Sequence, residues 1–240
     1  MIKKTRKRNI STGREGEDIS MLTEIVTTPE EVMPEELNEE IPVMTLRNMI
    51  IFPSVVMPVT VGRQSTLKLV NSAFNNKRSI VIATQRLVEV ENPGFKDLYP
   101  VAVVGKVLRI FEMSGGNTTV ILQANGPKVH IDEITSTRSF LKGKVSVIEE
   151  NNMLEKNEET KALIDSCREL STKLLELSDQ MSPDTSFALK NIDAVDVFVN
   201  FICANFPFSL EDKFSLLEQD SLKERMYRLI QVLNKEVQLA

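Results

Sequence analysis

Between residues 41 and 150 the apolar positions fall in short runs with a period near two, broken by proline, glycine and asparagine. Residues 43–46 and 49–52 predict short strands, and residues 55–61 a third. Pro58 lies inside the third run and points to an edge strand or a bulge, because proline cannot donate to a ladder. Gly62-Arg63-Gln64-Ser65 opens a predicted helix to about Asn76, with Leu67, Val70, Ala73 and Phe74 on one face. Residues 79–84 are rich in β-branched side chains and predict a strand, and residues 86–100, with Asn92-Pro93-Gly94 and Pro100, a long loop. Runs at 101–113 and 117–124 flank Ser114-Gly115-Gly116, a hairpin turn that needs positive φ. Residues 129–134 and 140–148 complete a set of six or seven strands with one helix.

After Glu150 the period changes to 3.6. Leu163, Cys167, Leu170, Leu174, Leu177 and Met181 form one apolar stripe on a long helix. Ser182-Pro183 supplies a cap and a first-turn proline for the next helix. Asp193 is the expected cap of a third, with Val197, Phe198, Phe201 and Ile202 facing inward. Ser209 with Asp212 opens a fourth, and Asp220 or Ser221 a fifth carrying Leu222, Met226, Leu229, Leu233 and Val237 in line. Its apolar stripe still runs at Ala240 without a stop signal, which reads like a chain cut inside a longer helix. The expected fold class is therefore α+β: a β-rich half with one helix, then a helical bundle.

Charge divides the 240-residue chain further. Residues 1–14 carry six Lys and Arg and no acid, and residues 15–40 carry ten Asp and Glu and no base. With Pro29 and Pro34 and few apolar residues, 1–40 reads as a disordered charged leader. The expected organisation is this leader, a β-rich subdomain at 41–150 and a helical subdomain at 151–240. The β-rich part holds thirteen basic against eight acidic residues, and the helical part ten against sixteen. A positive β-domain is compatible with phosphate backbones, but the bases are dispersed and Phe52, Phe111 and Phe140 make no stacking platform, which disfavours nucleic acid. No apolar run is long enough for a membrane helix, the basic start has no hydrophobic core behind it, and a cytoplasmic location is expected.

Enzymatic signatures do not emerge. The sequence has no GxxxxGK[ST] loop and no GxSxG elbow, and its one histidine, His130, sits in an alternating segment and reads as structural. Cys167 and Cys203 read as buried helical core, and with a single histidine they make no zinc site. Glu149-Glu150 and Glu158-Glu159 read as solvated faces.

The β-rich motifs carry a resemblance. Pro42-Val43-Met44-Thr45-Leu46-Arg47-Asn48-Met49-Ile50-Ile51-Phe52-Pro53 resembles the opening "PVLPLRDVVVFP" of the N-terminal domain of Lon, the ATP-dependent serine protease. Pro58-Val59-Thr60-Val61-Gly62-Arg63-Gln64-Ser65 is similar to that family's "PLFVGREKS". Residues 80–86, Asp97-Leu98-Tyr99-Pro100-Val101-Ala102-Val103-Val104 and residues 210–218 with Arg225-Met226 follow in the family's order. Lys128 stands where arginine is usual, and Phe214 where glutamine is.

What the resemblance implies is a PUA-like pseudo-barrel over 41–150 and a helical bundle over 151–240. It also implies a role in engaging unfolded or damaged protein substrates and in organising a homo-hexamer. ATP, Mg and the Ser-Lys protease dyad would belong to other domains, so this chain alone would have no catalytic residues and no cofactor. Flexible methionines suit contact with unfolded chains, which makes Met49, Met57 and Met113 candidates although each lies in a strand pattern. Arg63 and Gln64, opening the helix after a glycine, are expected to be exposed; with Met57 they are the candidate substrate contacts. A free-standing adaptor of the same family and a PUA-like RNA-binding protein are the alternatives.

Overall fold

The computed structural model describes residues 37–113, 116–178 and 182–240. The expected leader, apart from its last few residues, Met181 and the Ser114-Gly115 part of the hairpin turn lie outside these.

Seven strands form the β-rich half: β1 (Ile41–Leu46), β2 (Val56–Val61), β3 (Ile80–Thr84), β4 (Val101–Glu112), β5 (Thr118–Gln123), β6 (Lys128–Ser136) and β7 (Lys142–Val147). Their order is β2-β5-β4-β3-β1-β7-β6, and β4 also pairs with β6. That extra pairing, Val101 opposite His130 to Val103 opposite Lys128, closes β4, β3, β1, β7 and β6 into a small barrel. The distal part of β4 leaves the barrel and pairs with β5, which carries β2 as the outermost strand. A bulge between Val107 and Arg109 marks the departure, and Gly105 lies just before it. A Cβ on Gly105 would stand 2.3 Å from the Gln123 carbonyl oxygen and 2.9 Å from Ile82 Cδ1, so only glycine permits this crossing. Pro58 sits in β2, the outermost strand, in agreement with the edge position expected from proline chemistry.

Alternation along the barrel strands feeds two cores. Val43, Val81, Ala83, Val104, Val129 and Ile131 fill the barrel. Met44, Ile80, Ile82 and Val103 point the other way, into a larger core continuous with the helices. This explains why all five residues of β3 are buried.

Residues 49–52 are not a strand, contrary to expectation. Ile50, Ile51 and Phe52 are all buried in the larger core. Asn48 (φ 54°) and Ser54 (φ 64°), both in the left-handed region, bound an irregular segment that ladder pairing cannot accommodate. Apolar runs without alternation do not distinguish the two cases.

The helices are α1 (Gln64–Asn75), α2 (Glu158–Leu177), α3 (Pro183–Lys190), α4 (Val195–Asn205), α5 (Leu210–Leu217) and α6 (Leu222–Leu239). In α1 the buried face is Leu69, Val70 and Ala73, while Phe74 is exposed, a rotation from the predicted stripe. Ser182, Ser209 and Ser221 each accept a hydrogen bond from a first-turn amide, as their positions predicted. Asn157 caps α2 in the same way. Asp193 does not cap α4; Ala194 occupies that position without a side-chain bond. The buried stripe of α2 runs through Thr160, Leu163, Cys167, Ser171 and Leu174, leaving Leu177 half exposed because a strict 4-3 spacing drifts around a 3.6-residue helix.

Where the two halves meet, the residues are ionic and well satisfied. Lys128, the first residue of β6, is buried and donates to the carbonyls of Leu217 (3.1 Å), at the end of α5, and Gln219 (2.6 Å), just beyond it. Its Nζ also lies 3.1 Å from Glu150 Oε1. Arg225 of α6, 1% exposed, donates to the same carboxylate, to Leu216 O (3.0 Å) and to Asn200 Oδ1 (2.9 Å). Glu150 is therefore the shared anion of a buried triad, not part of a solvated pair as its sequence neighbour Glu149 suggested. Burial pushes the Lys128 ammonium below its usual value, against the pull of Glu150. Beside the triad, Asn151 and Ser221 form a short parallel bridge, and Phe214 stacks on Tyr99 at 4.2 Å, with Arg86 4.8 Å above the tyrosine.

Candidate functional site: a cleft between two strand edges

On the β-rich half, the end of β1, the outer strand β2, the first turn of α1 and the loop after β3 surround a cleft of about 770 Å³. A second hollow of about 320 Å³ shares Thr45, Arg63, Ser65, Thr66, Glu91 and Asn92 with it and extends toward Phe140 and Leu141. Their volumes fall in and near the ~300–1,000 Å³ typical of ligand sites.

Backbone polarity gives the cleft its character. In β1, the Leu46 carbonyl accepts from Gln85 on the β3 side, and the Val43 amide donates to Leu141 on the opposite side. Alternate residues of a strand direct their backbone groups to alternate sides, so Thr45 points away from β3. There β7 has already ended, since its pairing with β1 covers only Ile41 and Pro42. In β2, the Ala124 amide donates to the Val55 carbonyl, which sets Met57, Val59 and Val61 as the residues bonded to β5 in the observed register. Val56, Pro58 and Thr60 turn their backbone groups to the outer edge. Pro58 thus costs the β2–β5 ladder nothing, and among the described residues no strand covers that edge.

Arg63 forms the floor. It is half-buried and is the N-cap residue of α1. Nη1 donates to Thr45 Oγ1 (3.0 Å), and Nη2 donates to Gln85 Oε1 (2.6 Å) and to Val90 O (3.0 Å). Gln85 is fully buried and donates in turn to the Leu87 and Val90 carbonyls, so the pair pins the loop after β3 over the barrel. Arg63 Nε is buried without a hydrogen-bond partner among the described residues. Burial, with Arg47 close by, lowers the guanidinium pKa from its ordinary value, and Glu91 acts the other way. The first turn of α1 has neither a side-chain cap nor an acidic residue.

Of the residues expected to contact substrate, Arg63 and Gln64 both line the cleft. Gln64 is exposed as anticipated, whereas Arg63 is engaged in three hydrogen bonds and is less exposed than its place after a glycine suggested. Met57 is 7% exposed and packs in the larger core, away from the cleft lining. Met49 lines the cleft and Met113 is 52% exposed on the hairpin. Arg47, Thr45 and Thr60 escaped the reading of the chain, although the proline in β2 had already signalled a free edge.

Other groups offer less. Cys167 and Cys203 are buried and burial pushes both thiols up to about 12. His130 is exposed on β6, its Nδ1 3.1 Å from Asp132 Oδ1, while Ser146 donates to the other oxygen of that carboxylate, Oδ2. Among the described residues no group of His, Cys, Asp and Glu is arranged to hold a metal, and no helix is long and apolar enough to cross a membrane.

Residues 40–235 match the family of the ATP-dependent protease La (LON) substrate-binding domain. The chain belongs to that family. A Lon protease of Parabacteroides distasonis is 37% identical over 205 residues, covering 85% of this chain and 25% of that protein. One from Cytophaga hutchinsonii is 34% identical over 215 residues, covering 88% and 26%. The chain thus spans about a quarter of the length of the curated relatives it matches. The fold is that of the N terminal domain of Mycobacterium avium complex Lon protease (TM-score 0.58, 19% identity, 82% of this chain and 98% of that one). A Lon N-terminal domain protein from Xanthomonas campestris gives a TM-score of 0.56 at 14% identity, over 80% and 98% of the two chains. The chain is a Lon N-terminal, substrate-recognition region of α+β fold, and neither the free-standing adaptor nor the RNA-binding alternative is favoured by these matches.

Proposed function

We propose that this Lon region makes the first contact with unfolded or damaged polypeptides in a cytoplasmic, ATP-dependent protease. The observation that supports this is the cleft itself: a concave surface lined by unpaired backbone edges suits an extended chain better than a folded surface or a compact metabolite. Contacts of this kind are individually weak. Six copies in a homo-hexamer would raise their effect through effective concentration, since a chain held by one copy is presented to its neighbours.

Hydrolysis belongs elsewhere in this reading. Gly62 alone precedes α1, unlike the glycine-rich loop with which P-loop proteins cradle a nucleoside triphosphate. In this reading ATP and Mg, and the Ser-Lys dyad that the resemblance implies, would be held by other domains of the protease. The division of labour is recognition here and chemistry there.

Titrating the 240-residue chain into fluorescein-labelled, reduced and carboxymethylated α-lactalbumin, with native α-lactalbumin as control, tests the reading by fluorescence anisotropy. Saturable binding of the unfolded form and not of the native form is expected. Equal binding of both, or of neither, would overturn it.

A further inference from the structure

Two features of the cleft remain unexplained by packing: the open backbone edges and the surplus of positive charge. β2 reads Val-Met-Pro-Val-Thr-Val and has no charged side chain, whereas exposed edges are commonly guarded by lysine. Its outward groups are the Pro58 carbonyl and the amides and carbonyls of Val56 and Thr60. Across the same cleft, Thr45 presents its own backbone. Arg47 is exposed on the rim and forms no ion pair among the described residues. Arg47, Arg63 and the uncapped first turn of α1 outweigh Glu91, the acidic residue of the lining.

We infer that an extended polypeptide segment carrying an acidic side chain adds to the outer edge of β2 as a further strand, with its carboxylate beside Arg47. This deepens the proposed recognition of unfolded chains by naming how and through which atoms they bind. The guest's backbone amide and carbonyl meet the Thr60 carbonyl and amide, so the hydrogen bonds are independent of guest sequence. That independence suits a surface that must accept many damaged proteins. Arg47 adds a preference for acidic segments and a dependence on ionic strength.

Pro58 also supplies the test. Thr60 stands two residues along the same edge, in the same relation to β5, so Thr60→Pro removes one outward amide and leaves the β2–β5 ladder intact. Thr60→Val keeps the amide and changes only the side chain. With carboxymethylated α-lactalbumin as probe, Thr60→Pro should weaken binding about tenfold, the equivalent of one backbone hydrogen bond, while Thr60→Val stays near the parent. Arg47→Ser should weaken it about fivefold at low salt and flatten the salt dependence.

Parent-like binding by a folded Thr60→Pro chain would overturn the strand-addition reading. Parent-like affinity and salt dependence in Arg47→Ser would overturn the acidic preference. Should Thr60→Pro fail to fold, a 12-residue α-lactalbumin peptide N-methylated at alternate residues answers the question with the parent chain. Loss of binding relative to the unmethylated peptide supports the inference, and equal binding overturns it. A chain that dimerises in a Thr60→Pro-sensitive way on size exclusion has a second copy on β2, which also overturns it. If the parent binds no unfolded probe at all, the substrate-recognition reading falls and this inference falls with it.

Discussion

Arginine 225 and arginine 63 occupy opposite situations in one molecule. At the junction of the two halves, Arg225 and its neighbour Lys128 are both buried, and Glu150, Asn200 and the carbonyls of Leu216, Leu217 and Gln219 accept their hydrogen bonds. In the cleft, Arg63 is only half-buried, holds three acceptors and leaves Nε unpartnered, with Arg47 nearby to repel it. The junction places an anion where two cations converge. In the cleft the acidic residue of the lining, Glu91, forms no ion pair with either arginine among the described residues. Polar groups closed off by their own chain hold a fold together, whereas polar groups left with spare capacity are available to something else.

Removing Glu150 should do the most damage. Glu150→Ala leaves Lys128 and Arg225 buried and facing each other, a loss of about 3–5 kcal/mol by urea denaturation. The loss should shrink toward alkaline pH. Lys128 already has a folded-state pKa below its ordinary value, and losing Glu150, which pulls it up, lowers it further, so the variant regains more stability than the parent as pH rises toward the unfolded lysine value. A penalty that is the same at pH 7 and pH 10 would break the account of the triad.

Arg63→Ala comes next, at about 2 kcal/mol, because Gln85 Oε1 loses its arginine donor and the Val90 carbonyl keeps only Gln85, and both can recruit water from the open cleft. Hydrogen exchange should rise in residues 86–97 and stay unchanged in α6. Equal exchange in both regions would mean the two arginines serve one purpose and dissolve the contrast.

Asp212 offers an intermediate case in the helical half. Burial alone would raise its pKa, but Lys235 (2.8 Å), Ser209 (2.8 Å) and Arg228 (3.2 Å) together hold it below the ordinary carboxylate value. A depressed folded pKa stabilises above the unfolded value, and the gain is lost as pH falls through the folded one. Asp212→Asn should therefore cost about 1 kcal/mol at pH 7 and nothing in strong acid. The smallest change is Gln64→Ala: below about 0.5 kcal/mol in stability, since the side chain is exposed and makes no hydrogen bond among the described residues.

How much of this was legible in the chain depends on the reach of each interaction. Strand alternation, serine caps and the proline in β2 are local, and the elements that depend on them lie close to their expected positions. Residues 49–52 misled because an apolar run without alternation says nothing about hydrogen bonding. Glu150 misled because its partners stand 22 residues before it and 75 residues after it along the chain, where no spacing rule connects them. Arg63 and Gln64 were found through a motif, but the reason Arg63 matters, a buried glutamine at position 85, is visible only in three dimensions. Met57 shows the limit of arguing from residue type: a methionine that suits adaptable contact also suits core, and alternation in β2 places it inside. Lys128 and Phe214, departures from the family's pattern, proved to be contacts of the junction, a carbonyl-binding ammonium and a ring stacked on Tyr99.

The course of β4 has a mechanical consequence. This single strand belongs to the barrel at one end and to the β2–β5 layer at the other, so a tug on anything lying along β2 travels through β5 into the barrel wall. Loaded parallel to the strands, the ladder bonds of β2 and β5 share the force and resist together. Loaded across the strands, they peel one at a time. A chain drawn lengthwise out of the cleft would therefore load its own few bonds to β2 in shear and slide free before the longer β2–β5 ladder gave way, while a sideways pull would peel it off bond by bond under less force.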